Sequence, residues 1–391
     1  MTVIFSGIKI VESDLSSHLE KGHVRQGVRY LEEVIQDCYP ESSGKILISE
    51  ASTFVSNINA YPAESIFPNK NINLNPINIR FRKAIEIIKE IINPNSKQPN
   101  IARLLSSKRL WKSVFQIQAN HSVGNQLIVV QNIEHIFTPS FKFPKNTFLA
   151  LRFIGKPSEP NEEDFLNAIE ELVIKNPGRI HIAFENLKCF EWFESKDINV
   201  PVFHVPWFGL GKTQNESNEA KISKVILFPG AQRKEKGIQN IPEIVFSINS
   251  KMPQGFEFKI QFSEKFKEIY SKLLSDKSVS LLSEDLSHND YLSEISRAKI
   301  AILPYEEENY LWTGSGIMAD CIASGTPLIA PLKTAIGYEI ESFSLGQTYN
   351  NISEIPELIE KWSKKMNNSE LVNYVENSKI QTRNWLKFKE N

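Results

Sequence analysis

The chain has 391 residues, 45 of them basic and 46 acidic, for a formal net charge of −1. That length exceeds one ordinary core and suits two α/β domains of about 150–200 residues each. The near-neutral balance excludes bulk attraction to nucleic acid, no apolar run reaches the ~18 residues that span a bilayer, and the scattered Cys38, Cys189 and Cys321 read as reduced core thiols without zinc spacing.

The opening stretch MTVIFSGIKIVESD lacks the charged start and long apolar core of a signal peptide, so a cytoplasmic protein is expected. Residues 3–11 read as a first strand, with Ser6-Gly7 as an interruption, and 28–38 as an amphipathic helix. The loop between them carries Asp14, His18, Gly22 and His23 where a doubly wound fold receives substrate; otherwise it is a polar turn with two solvated histidines. Residues 45–49 form a short strand, 51–74 an Asn- and Pro-rich irregular excursion, and 80–92 a helix broken by Asn93-Pro94.

Residues 97–115 combine Lys97, Arg103, Lys108, Arg109 and Lys112 with leucines, Trp111 and Phe115, and no carboxylate occurs between Glu90 and Glu134. The stretch is either a peripheral membrane contact or a packed helix with a solvated basic face. The charges do not share one clean face, which favours the second.

Strands follow at 126–131, 147–153, 179–184 and 201–205, with helices at 161–173 and 187–193 between them. This βαβα alternation implies an open parallel sheet. GLGKTQNESNEAK, within 209–222, is polar and without apolar periodicity, and reads as a linker. Beyond it come strands at 224–228, 256–262, 279–282, 301–303, 328–330 and 346–349. Helices are expected at 241–248, 264–274, 291–298 and 355–364, with a last one at 370–387, and a polar loop at 306–312. The division expected is an acceptor-side domain at 1–208, the linker at 209–222, a second domain at 223–368, and a terminal helix at 369–391 crossing back to the first.

Two turns of the second half carry chemistry. Thr313-Gly314-Ser315-Gly316 opens a helix directly after a buried strand, so free N–H groups and the positive end of a helix dipole form an anion site at the sheet's carboxyl edge. Gly230 begins a turn bearing Arg233 and Lys236. Together these suit a diphosphate. Asp320, embedded among Ile317, Met318, Cys321 and Ile322, needs a partner there. A ribose diol would supply one. Tyr305 and Tyr310 line the cleft or pack behind it. No GxGxxG follows the first strand, which disfavours a dinucleotide-dependent dehydrogenase.

Across roughly 225–331, LFPGAQRKEKG, FEFKIQF, VSLLSEDLSHNDYLSEI, AKIAILPY and TGSGIMADCIASGTPLIAP resemble, in order, the donor domain of GT-B glycosyltransferases, closest to the retaining family-four group. The first half resembles that family in layout only. The resemblance implies two Rossmann-like doubly wound domains facing a cleft and a nucleotide-sugar donor, with an acceptor hydroxyl on a glycan, lipid-linked or small molecule. It also implies transfer without metal or cofactor. Arg233 and Lys236 would bind the diphosphate, with Gly230, Tyr305, Thr313, Gly314, Ser315 and Gly316 around the donor and Asp320 on its ribose. The family's pair of glutamates separated by seven residues departs here: Asp320 matches the second and Trp312 stands at the first. Were transfer inverting, His23, then His18 or Asp14, would act as base. The rival reading is a GT-B-shaped protein that binds nucleotide or glycan without turnover.

Overall fold

The computed structural model describes residues 3–12, 24–48, 63–65, 124–133, 143–157, 161–206, 224–230, 233–252, 255–271, 273–365 and 369–389. The first lobe contains β1 (Gly7–Glu12), α1 (Val24–Cys38), β2 (Ser43–Ile48), β3 (Ala63–Ser65), β4 (Gln126–Ile133), β5 (Thr147–Phe153), α2 (Asn161–Lys175), β6 (Ile180–Phe184), α3 (Leu187–Glu194) and β7 (Val202–His204). Its strands are all parallel, in the order β3-β2-β1-β4-β5-β6-β7. Every residue of β5 and β6 is buried, as a sheet covered on both faces requires. Alternate residues serve opposite cores. Leu127, Val129 and Ala150 join Ile8 and Ile10 on one side, while Ile128, Val130, Leu149 and Leu151 join Phe165 and Ile169 on the other.

The second lobe contains β8 (Val225–Phe228), α4 (Ile241–Lys251), β9 (Glu257–Gln261), β10 (Val279–Leu282), α5 (His288–Arg297), β11 (Ile300–Ile302), α6 (Glu307–Tyr310), α7 (Gly316–Ala323), β12 (Leu328–Pro331), α8 (Ala335–Phe343), β13 (Gly346–Tyr349) and α9 (Ile355–Lys365). Its parallel strands run β10-β9-β8-β11-β12-β13. Strand order reverses between β1 and β4 in one sheet and between β8 and β11 in the other. Ligands of open α/β sheets bind outside the carboxyl ends of the strands at such a point.

Helix α10 (Ser369–Leu386) belongs to both cores. Leu371, Tyr374 and Val375 pack in the second lobe, whereas Trp385, Leu386 and the following Phe388 pack in the first. Tyr39 donates its hydroxyl to Leu386 O at 2.9 Å, and the His181 ring stacks on Phe388 at 3.7 Å. Burial holds the His181 imidazole down at about 4, so it stays neutral there.

At the seam between the lobes, Glu339 of α8 is fully buried. It accepts from Tyr374 Oη of α10 and, at 3.3 Å, from the backbone N–H of Leu187 in the first turn of α3. His204 Nε2 lies 2.9 Å from the same carboxylate, off the hydrogen-bonding direction. Tyr338 extends the seam by donating to Glu191 at 2.6 Å.

Several elements differ from the expectation. Where they are described, at 264–271 and 273–274, the residues expected as a helix form tight turns instead: Phe266, Lys267, Ile269 and Leu273 each donate to a carbonyl three residues back. A period near three presents Phe266, Ile269, Tyr270 and Leu273 to the core much as a helix would, so the hydrophobic pattern looks the same. The polar loop at 306–312 contains the short helix α6. Helix α8 was not anticipated, because Gly337 in its first turns lowers its propensity. The excursion at 51–74 yields strand β3 where it is described. The helix at 80–92, the stretch 97–115 and the linker 209–222 lie outside the described residues. Among the described residues no helix is long and apolar enough to cross a membrane.

Candidate functional site

The two phosphate-competent turns leave adjacent strands, β8 and β11, at the reversal point of the second sheet. They meet in one pocket of about 350 Å³. One wall is Arg233, Glu235 and Lys236; the other is Thr313, Gly314, Ser315 and Gly316, with Tyr310 and Asn309 at the rim.

Contact between the turns explains Gly230. Its φ is +95°, and a Cβ there would lie 2.0 Å from Ile317 Cδ1 and 3.3 Å from Lys236 Nζ. A side chain would be strained at this φ and would displace the ends of Ile317 and Lys236. Gly230 N–H donates to Gln261 Oε1 at 2.7 Å, and Glu306 N–H to Glu235 O at 3.1 Å, tying the β8 turn to β9 and to the loop after β11.

Helix α7 begins at the pocket. Ser315 is its N-cap, accepting from Met318 N–H at 3.4 Å, and the first backbone helical bond runs from Ala319 N to Ser315 O. The N–H groups of Gly316 and Ile317 precede that bond, so they are available to an anion. Ile317 through Ala323 are all buried, which locks the helix end in place.

The cations differ in setting. Arg233 is exposed, with Nε 3.4 Å from Glu235 Oε1. Lys236 is half-buried at the back, and loss of water pulls its ammonium down from 10.5 to about 8. Arg233 adds repulsion, and Glu235 works the other way. Both groups thus gain from an anion that replaces missing water or a weak exposed ion pair.

Two expected donor residues stand elsewhere. Tyr305 is 2% exposed and does not line the pocket. Its ring packs at a tilt against Tyr310, centroids 4.2 Å apart, and its hydroxyl shares a 3.2 Å hydrogen bond with Ser315 Oγ, so it braces the loop from behind. Asp320 is also 2% exposed and outside the lining, and it accepts from the Tyr291 hydroxyl of α5 at 3.0 Å. Asp14, His18, Gly22 and His23 lie outside the described residues.

Trp312 turns away from the pocket and packs against the core of the first lobe. Lys156 and Lys188 approach its ring at 4.8 and 4.7 Å, and its carbonyl accepts from Asn186 Nδ2 at 3.2 Å. The residue at the glutamate position is a peg between lobes. Sequence reasoning missed the polar pair that follows β6, Glu185 and Asn186, which faces Gly314 and Ser315 across the seam. Its only signal is a pair of polar residues directly after a wholly buried strand at the carboxyl edge of the sheet.

No protein-family model matches the chain, and no curated protein matches it in sequence. Solved structures do match in shape. The N-terminal domain of Candida albicans trehalose-6-phosphate phosphatase aligns with TM-score 0.60 at 12% identity, over 98% of this chain and 95% of that one. A trehalose-6-phosphate protein from E. coli bound with UDP-2-fluoro glucose aligns with TM-score 0.58 at 9% identity, over 97% of each chain. WaaG, a glycosyltransferase involved in lipopolysaccharide biosynthesis, aligns with TM-score 0.53 at 12% identity, over 96% of this chain and 95% of that one. At such identities the likeness shows the fold, and the fold is GT-B.

Proposed function

We propose that this GT-B chain is a glycosyltransferase that moves a sugar from a nucleotide-sugar to an acceptor hydroxyl. The observation that carries the reading is the single pocket shared by Arg233, Lys236 and the start of α7. A nucleoside diphosphate brings about two or more negative charges, and one guanidinium, one ammonium and a helix N-terminus balance them. The bound UDP-2-fluoro glucose named for the E. coli neighbour supports the same ligand class.

In this reading the diphosphate sits on the Gly316 and Ile317 N–H groups, and the sugar projects toward the first lobe, where the acceptor is held. The bond from the anomeric carbon to the phosphate oxygen breaks through an oxocarbenium-like transition state. Charge builds on the departing diphosphate, so Arg233 and Lys236 bind the transition state more tightly than the ground state. They do the work that a divalent ion does elsewhere, and no cofactor beyond the donor is required. We assign retention of configuration, with a leaving-phosphate oxygen accepting the acceptor's proton. His23, His18 or Asp14 would serve as base only in an inverting enzyme. We place the reaction in the cytoplasm, with residues 97–115 as the candidate membrane contact should the acceptor be lipid-linked.

Thermal melts against a panel of nucleotide-sugars test the donor. A ligand at about a hundred times its Kd adds roughly 2.7 kcal/mol. Release of nucleoside diphosphate, with and without chelator, then tests turnover, and Arg233→Ala is expected to abolish it. Binding without any release would favour the non-catalytic reading.

A further inference from the structure

Glu185 follows β6 at the carboxyl edge of the first lobe, and its carboxylate crosses the seam to the donor loop. A Cβ built on Gly314 would lie 2.8 Å from Glu185 Oε1, so only a glycine lets the carboxylate come this close to the loop backbone. The carboxylate is held. Arg152, at the end of β5 and 1% exposed, places Nη2 3.5 Å from Glu185 Oε2, and Arg152 Nε is itself tied to Val205 O at 2.9 Å. The Glu185 side chain nevertheless keeps 15% of its surface open. Glu185 and Asn186 line a small hollow with Gly314 and Ser315, the same residues that form one wall of the larger pocket.

We propose that Glu185 is the first lobe's contact to the donor sugar, accepting a hydrogen bond from one of its hydroxyls. The inference rests on the nucleotide-sugar reading of the pocket. A phosphate seated on the Gly316 and Ile317 N–H groups has Glu185 on the far side of Gly314, so a sugar that hangs from that phosphate toward the facing lobe comes within reach of this side chain. An ionised carboxylate only accepts, so its complement is a hydroxyl and not a second phosphate. The Arg152 guanidinium, 3.5 Å away, offsets part of the repulsion that a bare carboxylate would impose on the diphosphate. The substrate class follows: a sugar carrying a free hydroxyl at the position that faces the first lobe. A deoxy sugar there would cover the carboxylate without offering it a donor, which is how a polar site rejects an analogue.

The test compares free nucleoside diphosphate with nucleotide-sugar by calorimetry, using UDP with UDP-glucose, GDP with GDP-mannose and ADP with ADP-glucose. Glu185→Gln keeps an acceptor for Arg152. It is expected to weaken the nucleotide-sugar about 10- to 100-fold, the range for a hydrogen bond to a charged group, and to leave the diphosphate unchanged. A second arm needs no variant: singly deoxygenated UDP-glucose analogues on the wild-type protein should show one position whose loss weakens binding to a similar degree. Equal weakening of diphosphate and nucleotide-sugar would overturn the inference, because Glu185 would then only shape the loop. An unchanged nucleotide-sugar affinity, or tolerance of every deoxy analogue, would overturn it as well. A wild-type protein that binds none of the diphosphates would overturn the donor reading, and this inference with it.

Discussion

Tyr291 donates its hydroxyl to Asp320 at 3.0 Å, so the acid embedded in α7 is answered by α5, the helix beside it. Burial and the adjacent carboxylate push the Tyr291 phenol well above 10, so it stays a donor at all ordinary pH. Tyr291→Phe is expected to cost about 1–3 kcal/mol, the usual penalty for stripping a buried polar group of a partner. Nucleoside diphosphate affinity should change by less than about twofold. A melt paired with calorimetry checks this, and a large loss of affinity with an unchanged melt would return Asp320 to the donor site.

Lys236 sets the pH dependence of binding. Its folded value of about 8 sits below the ordinary 10.5. Above about 8 the empty protein loses the charge, so diphosphate affinity should fall as pH rises, by up to about tenfold per pH unit. Stability moves oppositely. Between about 8 and 10.5 the unfolded chain holds a proton that the folded chain lacks, so this group favours folding more as pH rises. Lys236→Met should therefore be more stable than wild type at pH 7, with the gap closing by pH 10.5, and should bind diphosphate at least about tenfold more weakly. Melts and calorimetry from pH 6.5 upward read both trends.

Much of this architecture was legible along the chain because buried parallel strands are continuous apolar runs. Residues 147–153 read as a strand at the same bounds that the structure shows, and the strands expected at 224–228, 301–303 and 328–330 lie within one residue of the observed ones. The pocket was legible because its two turns each follow such a run, and a parallel sheet sends both to one edge. Directions of single side chains were not. Nothing in the spacing of Asp320 says that Tyr291, far back in the chain, takes its carboxylate. Trp312 stands at a glutamate position of the resemblance, and nothing in the sequence says that the first lobe receives it. Glu185 has no motif, since its role depends on Gly314 from the other lobe.

Glu339 joins α3, α8 and α10 at the seam, and its removal should loosen the lobes together. Burial, with the nearby carboxylate, drives the Tyr374 phenol well above 10, so that contact persists across ordinary pH. Tyr374→Phe leaves a fully buried carboxylate with fewer donors and should cost about 3 kcal/mol. Hydrogen exchange should quicken at the amides of residues 187–194 and 335–343 and leave those of 241–251 as they were. Confinement of the change to α10 alone would show that the lobes do not share this contact.

Trp312 is the final case, since it stands where the family resemblance would put a glutamate. Its indole packs in the first lobe and meets Lys156 and Lys188 at 4.8 and 4.7 Å. Trp312→Ala should cost about 2–3 kcal/mol, less than a fully buried tryptophan because the side chain is only half-buried. Trp312→Glu is the sharper test. A carboxylate there would meet the two ammonium groups of the first lobe and not the pocket, so it should recover part of the lost stability by pairing. Nucleotide-sugar affinity should not rise. A gain of tenfold or more would mean that the loop turns in solution and that the glutamate position faces the donor.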